Sequence, residues 1–203
     1  MDVFFEFSSK YVQSTVQARA VGLGVDKAGI HDHNNLIKGK YEGIKFPVVF
    51  EQYSGKNYTD ILDTGWTSFH LISDRMKAIL EENHLTGWKV FPIKLYDKKG
   101  TEIHGYHGFS FIGKCDQSDY QKSEIIEKRL VPHGPLCKYY KGLIVDDWDG
   151  SDFFTPEATY KTLVTKKAAD ILKKAKITNL ELMNLADFEI HVNDARPKQP
   201  RQN

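Results

Sequence analysis

Cysteine is nearly absent: the 203 residues hold two, Cys115 and Cys137. Two thiols cannot make a disulfide framework, and a single bridge between them is the most they could form. A reduced, cytoplasmic setting is the simplest expectation. An excess of charge of one sign is missing too. Lys and Arg total 28 against 27 Asp and Glu, a formal net charge of +1. A wholesale polyanion binder is much more basic, which disfavours nucleic acid as the main ligand. Long apolar runs do not occur. The longest are short, such as residues 46–50, far below the roughly 18 residues of a membrane span. The opening Met-Asp-Val-Phe-Phe-Glu-Phe has neither the basic start nor the continuous apolar stretch of a secretory signal.

What is present is an ordinary globular balance of 40% hydrophobic, 12% aromatic and 27% charged residues. A chain this long buries roughly 70% of its unfolded surface and needs no metal or disulfide staple. It fits one α+β domain over residues 1–193, or two tightly packed lobes of about 1–115 and 116–193. From Asp194 onward no hydrophobic anchor follows Ala195, so residues 194–203 read as a disordered tail.

Val3 to Phe7 and the Phe-Pro-Val-Val-Phe run at 46–50 read as strands, with Pro47 at an edge or a strand start. Residues 21–25 and 30–35 read as irregular, since Gly and Asn supply turn conformations there. Ser73 is placed to cap a helix, Asp74 complements its dipole, and Met76, Ile79 and Leu80 share one face. Thr86-Gly87 ends that element, and a strand over 88–95 follows, interrupted by Pro92. Residues 101–115 suggest a hairpin or meander. A helix is expected around residues 124–130 and a strand over 139–145.

The same arrangement recurs 92 residues later. Leu71, Ser73, Ile79, Leu80, Leu85, Thr86, Trp88, Val90 and Ile93 match Leu163, Thr165, Ile171, Leu172, Ile177, Thr178, Leu180, Leu182 and Leu185 without a gap. Any capped amphipathic helix before a strand looks broadly similar, but the ungapped register and the shared Thr favour a repeat. The fold class is therefore α+β, with mixed or antiparallel sheets and two similar helix–turn–strand units.

Chemistry-bearing clusters are few. Asp146, Asp147, Asp149 and Asp152 crowd around Trp148. Such carboxylates can hold a hard cation, yet the spacing fails the EF-hand alternation. The plainer reading is a solvated turn whose Asp and Ser side chains bond local amides while Phe153 and Phe154 enter the core. Trp148 among acids also suits a protein contact. Lys161, Lys166, Lys167, Lys173, Lys174 and Lys176 face only Asp170, and without Arg–aromatic interleaving they read as a solvated face before an RNA site. His104 and His107 lack the further spaced ligands that zinc requires. No Gly-x-Ser-x-Gly elbow, phosphate loop or full dinucleotide fingerprint occurs.

Three stretches carry a family resemblance: Leu-Ile-Ser-Asp-Arg-Met-Lys-Ala-Ile-Leu at 71–80 with Thr-Gly-Trp-Lys-Val-Phe-Pro at 86–92; Trp-Asp-Gly-Ser-Asp-Phe-Phe at 148–154; and Val-Thr-Lys-Lys-Ala-Ala at 164–169 with Ile-Thr-Asn-Leu at 177–180. Together they resemble bacterial immunity proteins of polymorphic toxin systems, above all the immunity families numbered forty-three and eleven, the second once an uncharacterised myxobacterial domain. The resemblance covers about residues 60–190. The double Cys-x-x-Cys-Gly motif of some related myxobacterial proteins is missing, so any metal role tied to it does not carry over.

The resemblance implies a cytoplasmic, non-catalytic protein without a cofactor, made beside a toxin whose effector domain it binds and occludes. Asp146, Asp147, Trp148 and Asp149 are then the candidate contacts, with Tyr53 and Tyr58 as a second set. Neither a membrane nor nucleic acid is an expected partner, and monomer and dimer are both compatible. The rival is a metal-dependent hydrolase or nucleic-acid-processing enzyme built on the aspartates from Asp146 to Asp152. A small RNA-binding module using the lysines from Lys161 to Lys176 is a third reading.

Overall fold

Ser73 accepts a hydrogen bond from the Met76 amide at 3.1 Å, and Thr165 accepts one from the Ala168 amide at 3.2 Å. Each hydroxyl satisfies an otherwise orphaned donor and starts a nine-residue helix. These helices are minor parts of a structure that is mainly β-sheet. The computed structural model describes residues 3–25, 29–66, 68–116, 122–145, 147–157 and 161–194. The expected tail beyond Asp194 lies outside the described residues.

In chain order the first half contains β1 (Phe4–Ser9), β2 (Gln17–Val21), α1 (Asp32–Ile37), β3 (Val48–Ser54), β4 (Ile61–Asp63), β5 (His70–Ser73), α2 (Asp74–Glu82), β6 (Trp88–Phe91) and β7 (Ile93–Tyr96). There follow β8 (Glu102–Ile103), β9 (Tyr106–Phe111), β10 (Gly113–Cys115), β11 (Glu124–Arg129) and β12 (Leu136–Lys141). The last elements are β13 (Phe153–Pro156), β14 (Leu163–Thr165), α3 (Lys166–Lys174), β15 (Leu180–Asn184), a 3-10 turn (Leu185–Asp187) and β16 (Glu189–His191).

The strands form an eight-stranded sheet, β6-β9-β5-β4-β2-β3-β7-β8, a five-stranded sheet, β10-β13-β14-β1-β15, and a three-stranded sheet, β11-β12-β16. Both larger sheets are mixed: β3 runs parallel to β7 and β10 parallel to β13, among antiparallel neighbours. Among the described residues, β1 and β10 pair only with strands that lie beyond residue 150.

Two portions of these sheets share one pairing pattern. β5 lies between β4 and β9, and β6 pairs the other side of β9. β14 lies between β13 and β1, and β15 pairs the other side of β1. The registers correspond residue for residue. Ile61 faces Ile72 as Phe153 faces Val164, and Trp88 faces Phe111 as Leu180 faces Ser9. Left-handed backbone recurs at matching places, His84 with Lys176 and Gly87 with Asn179. One core joins both portions: Ile72, Met76, Leu80, Leu85 and Phe109 pack with Val164, Ala168, Leu172, Ile177 and Phe7, all buried. A second core under the eight-stranded sheet gathers Val16, Leu36, Phe50, Leu62, Phe69 and Phe91.

Several sequence expectations need correction. Residues 124–129 are a strand, because Ile125 and Ile126 pair with Tyr140 and Tyr139 across a hairpin. Residues 32–37 form α1 instead of an irregular segment; Leu36 and Ile37 are buried and draw the turn closed. Pro92 does more than interrupt a strand, since β6 pairs with β9 while β7 pairs with β3. Residues 101–115 are strands as expected but do not pair with one another: β8 pairs with its chain neighbour β7, β9 with β5 and β6, and β10 with β13. The strand expected over 139–145 starts earlier and ends at Lys141.

Candidate partner-binding surface

The aspartate-rich turn is occupied by its own hydrogen bonds. Asp149 Oδ2 accepts from the Lys114 amide at 2.8 Å and Oδ1 from the Ser151 amide at 3.0 Å, while the Asp149 amide donates to Lys114 O. Burial raises its carboxyl pKa, but the Ser151 and Lys114 hydrogen bonds more than offset this and the net shift is downward. Asp149 therefore ties the turn to β10. Trp148 is half-buried. Its indole N–H donates to Ser151 O at 2.8 Å and its ring meets Phe4 edge-on at 5.2 Å and Phe154 at 5.8 Å. Much of its area is thus already used inside the protein. Asp147 is exposed with left-handed backbone at φ 47°. Asp146 lies outside the described residues.

Asp152, by contrast, is a buried structural carboxylate. It accepts from the Thr165 hydroxyl at 3.0 Å, the Thr86 amide at 3.0 Å and hydroxyl at 3.3 Å, and the Lys167 ammonium at 3.1 Å. Its counterpart, absent from the sequence-based candidates, is Asp60. That residue accepts from the Ser73 hydroxyl at 2.8 Å, the Thr178 amide and hydroxyl at 2.9 and 2.8 Å, and Arg75 at 2.6 Å. The signal was available: Asp60 precedes Asp152 by the same 92 positions that separate Thr86 from Thr178. Neither carboxylate is presented as half of a paired acid–base site. Among the described residues, no three His, Cys, Asp or Glu side chains gather closely enough to hold a metal ion.

The other polar clusters are distributed among structural tasks. His107 Nε2 lies 2.6 Å from Asp74 Oδ1, where it fastens β9 to the first turn of α2, while His104 is exposed near Glu102. Lys161 pairs with Glu6 at 2.9 Å, Lys166 with Asp170, and Lys167 with Asp152; Lys173 sits over the Phe5 ring. Three of the six lysines are thus paired with carboxylates in place. Both cysteines are free, and burial, with Asp149, Asp116 and Glu157 nearby, pushes the Cys115 thiol up to about 12.

Tyr53 and Tyr58 are displayed differently. Strand alternation on β3 buries Val48 and Phe50 and turns Glu51 and Tyr53 outward. Tyr53 is 54% exposed, with the Arg19 guanidinium 4.1 Å from its ring centre. The two line an open concavity of about 610 Å³ with Glu51, Gln52, Tyr96 and Lys98. Tyr58 is also exposed; its hydroxyl donates to Gln52 Oε1 at 3.3 Å, and its ring stands 6.2 Å from Tyr106. Gln52 also donates to Gly55 O, so the loop between the tyrosines is braced. The result is an exposed shelf of aromatic and charged groups.

Among the described residues no helix is long and apolar enough to cross a membrane. No curated protein matches the chain. The sequence pattern of the immunity protein family (Imm11) matches it over residues 11–187, which takes in the tyrosine shelf, both buried aspartate networks and the aspartate-rich turn. The chain belongs to the immunity protein family Imm11.

Proposed function

We propose that this chain protects the cell that makes it by binding the effector domain of a cognate toxin and covering its active site. The reading is of a cytoplasmic binding protein that works without catalysis. The observation that carries it is family membership across most of the sequence. The geometry gives it physical content. A binding protein needs a rigid platform with preorganised groups, because ordering loops on association costs affinity. The Arg19–Tyr53 stack and the braced Gln52–Tyr58 loop meet that need. Asp147 and Asp149 would add negative potential that speeds encounter with a basic toxin surface. Trp148 would contribute only its exposed edge, since its ring packs on Phe4 and Phe154.

We further infer one domain built from two copies of a strand–helix–strand unit. In this reading the second copy borrows β1, from the start of the chain, where the first uses β9. The matched registers and the shared core support it. Such a closed arrangement would hold the outer faces of both sheets in fixed relation.

The test is protection. Cells expressing the effector domain of the neighbouring toxin should survive when this chain is co-expressed, and a purified mixture should run as one complex. Survival without any complex would replace occlusion with another mode of rescue.

A further inference from the structure

The three-stranded sheet ends in an open edge. β11 pairs with β12 alone, and β12 lies between it and β16. Val192 N–H donates to Lys138 O at 3.0 Å and Gly142 N–H to Phe188 O at 2.8 Å, so the even-numbered residues of β12 bond towards β16. Backbone groups alternate sides along an antiparallel ladder. Cys137, Tyr139 and Lys141 therefore bond β11, through their partners Lys128, Ile126 and Glu124. Ile125, Glu127 and Arg129 are left with N–H and C=O groups that point away from the sheet, and among the described residues no strand pairs with them. Glu124, Ile125, Glu127 and Arg129 are all exposed. With six residues, β11 is the longest edge strand of the described sheets. Other edges are blunted: β8 has two residues, and at β10 the Asp149 amide and carboxylate occupy the Lys114 carbonyl and amide. A long edge without such protection is a template for another strand.

The sequence of β11 selects that strand. Across a two-fold axis an antiparallel strand meets its own copy, with outward residues opposing outward residues. An axis through Ile125 sets Lys122 against Lys128 of the second copy. An axis through Glu124, Glu127, Lys128 or Arg129 sets that residue against its own charge. Like charges directly opposed are destabilising. An axis through Ile126 avoids every such clash. Ile126 then meets itself, Ile125 meets Glu127, and Glu124 meets Lys128, once on each side of the axis. Lys128 keeps its bond to Glu189, since an ammonium carries three donors. The three strands together hold four cations and three carboxylates, so two copies meet with little net repulsion. The segment after Asp194 suits the edge poorly. Pro197 and Pro200 fall on opposite sides of any strand, so one of them would always face the ladder without a donor.

We propose that this chain forms a two-fold dimer by pairing β11 with β11 of a second copy, in the register centred on Ile126. The two three-stranded sheets then become one continuous sheet. A single strand-to-strand contact buries less area than a permanent dimer needs, so the association is reversible and rises with concentration. It stands independently of toxin binding.

The experiment is sedimentation velocity of the full chain over a hundredfold range of concentration. The wild-type boundary should move from one chain to two as concentration rises. Glu127→Pro removes an outward N–H while leaving the bonds to β12 in place, and should weaken the dimer at least 30-fold. Glu124→Lys sets a lysine against Lys128 and should weaken it at least tenfold. Both positions are exposed, and unchanged melting verifies the fold. The register has its own readout, which does not depend on the proline variant folding. In a Cys137→Ser background, Ile126→Cys should cross-link to its own copy under diamide, because directly opposed residues of a non-hydrogen-bonded pair stand within disulfide reach. Ile125→Cys, which meets Glu127, should not. A wild-type chain that stays monomeric throughout overturns the proposal. A dimer that neither Glu127→Pro nor Glu124→Lys weakens lies on another face and overturns it too, as does cross-linking of Ile125→Cys in preference to Ile126→Cys. A monomeric chain whose affinity for the effector domain falls in Glu127→Pro would give the edge to the toxin instead.

Discussion

Asp60 and Asp152, 92 positions apart, make the same cross-connection from opposite halves of the chain. Asp60 Oδ2 accepts from the Thr178 amide and hydroxyl, and Asp152 Oδ2 accepts from the Thr86 amide and hydroxyl. Each carboxylate also holds the hydroxyl that caps the helix of its own half, Ser73 or Thr165. Removing either acid leaves several donors unmet near the core. Asp60→Ala and Asp152→Ala should each lower unfolding stability by about 2–3 kcal/mol. Asp187→Ala, at an exposed site, should change it by less than about 0.5 kcal/mol. Urea denaturation separates these outcomes, and equal effects at all three sites would contradict the assignment.

The acid sensitivity of the fold should have two arms. His70 is buried, with no hydrogen-bond partner for either ring nitrogen among the described residues; burial lowers its pKa to about 4, against a small opposing effect of Asp63. The unfolded chain therefore binds a proton near pH 6.5 that the folded chain refuses. Stability from neutral His70 is complete above pH 6.5 and declines towards pH 4, by about 3 kcal/mol in all. Asp60 acts lower down. Burial raises its pKa, but hydrogen bonds from Thr178 and Ser73 and the Arg75 charge bring the net shift below 3.8. Its contribution is present above 3.8 and is lost as pH falls through the still lower folded value. His70→Phe, which keeps a ring beside Phe7, should flatten the pH 4–6.5 arm and leave the lower one. An unchanged slope between pH 4 and 6.5 would remove His70 as its cause.

Gly87 tolerates no side chain. Its φ is +81°, and an added Cβ would sit 2.1 Å from Phe153 O and 2.6 Å from Ser151 Cβ. Gly87→Ala should cost about 3 kcal/mol or more, or prevent soluble expression, because two parts of the backbone would have to separate. The matching Asn179, at φ 62°, is held by its side-chain donation to Ile61 O. Thermal melting of Gly87→Ala within 2 °C of the parent chain would show that this approach is not required.

What the sequence made legible was local. A hydroxyl before an amphipathic nine-residue stretch located α2 and α3, because caps and periodicity act within a few residues. Phe153 and Phe154 were correctly placed in the core, and both are fully buried. The role of β1 was invisible, since its partners β14 and β15 lie more than 150 residues away. Residues 124–130 read as helix in the sequence because Glu, Lys, Arg and Leu favour helix intrinsically; the pairing of Ile125 and Ile126 across the hairpin overrides that preference. Among the candidate contacts, Tyr53 and Tyr58 are displayed, whereas Trp148 and Asp149 are engaged internally. An Asp-rich run looks the same in sequence whether its carboxylates face solvent or their own backbone.

Tyr53→Ala and Arg19→Ala test the shelf. Both side chains are exposed, so each replacement should cost under about 1 kcal/mol of stability, the scale of a surface cation–π contact. Affinity for the effector domain should fall at least tenfold in Tyr53→Ala if the ring is an anchor. Unaltered affinity would place the contact elsewhere.

The most direct test of the account is a stoichiometric titration. The effector domain of the neighbouring toxin is held at a fixed concentration well above the dissociation constant, and its activity is followed as this chain is added. Binding over the active site predicts a linear loss that reaches zero at one chain per effector domain and does not deepen with time. Complete inactivation by a small fraction of an equivalent, progressing with incubation, would mean that the chain acts as an enzyme, and would contradict neutralisation by occlusion.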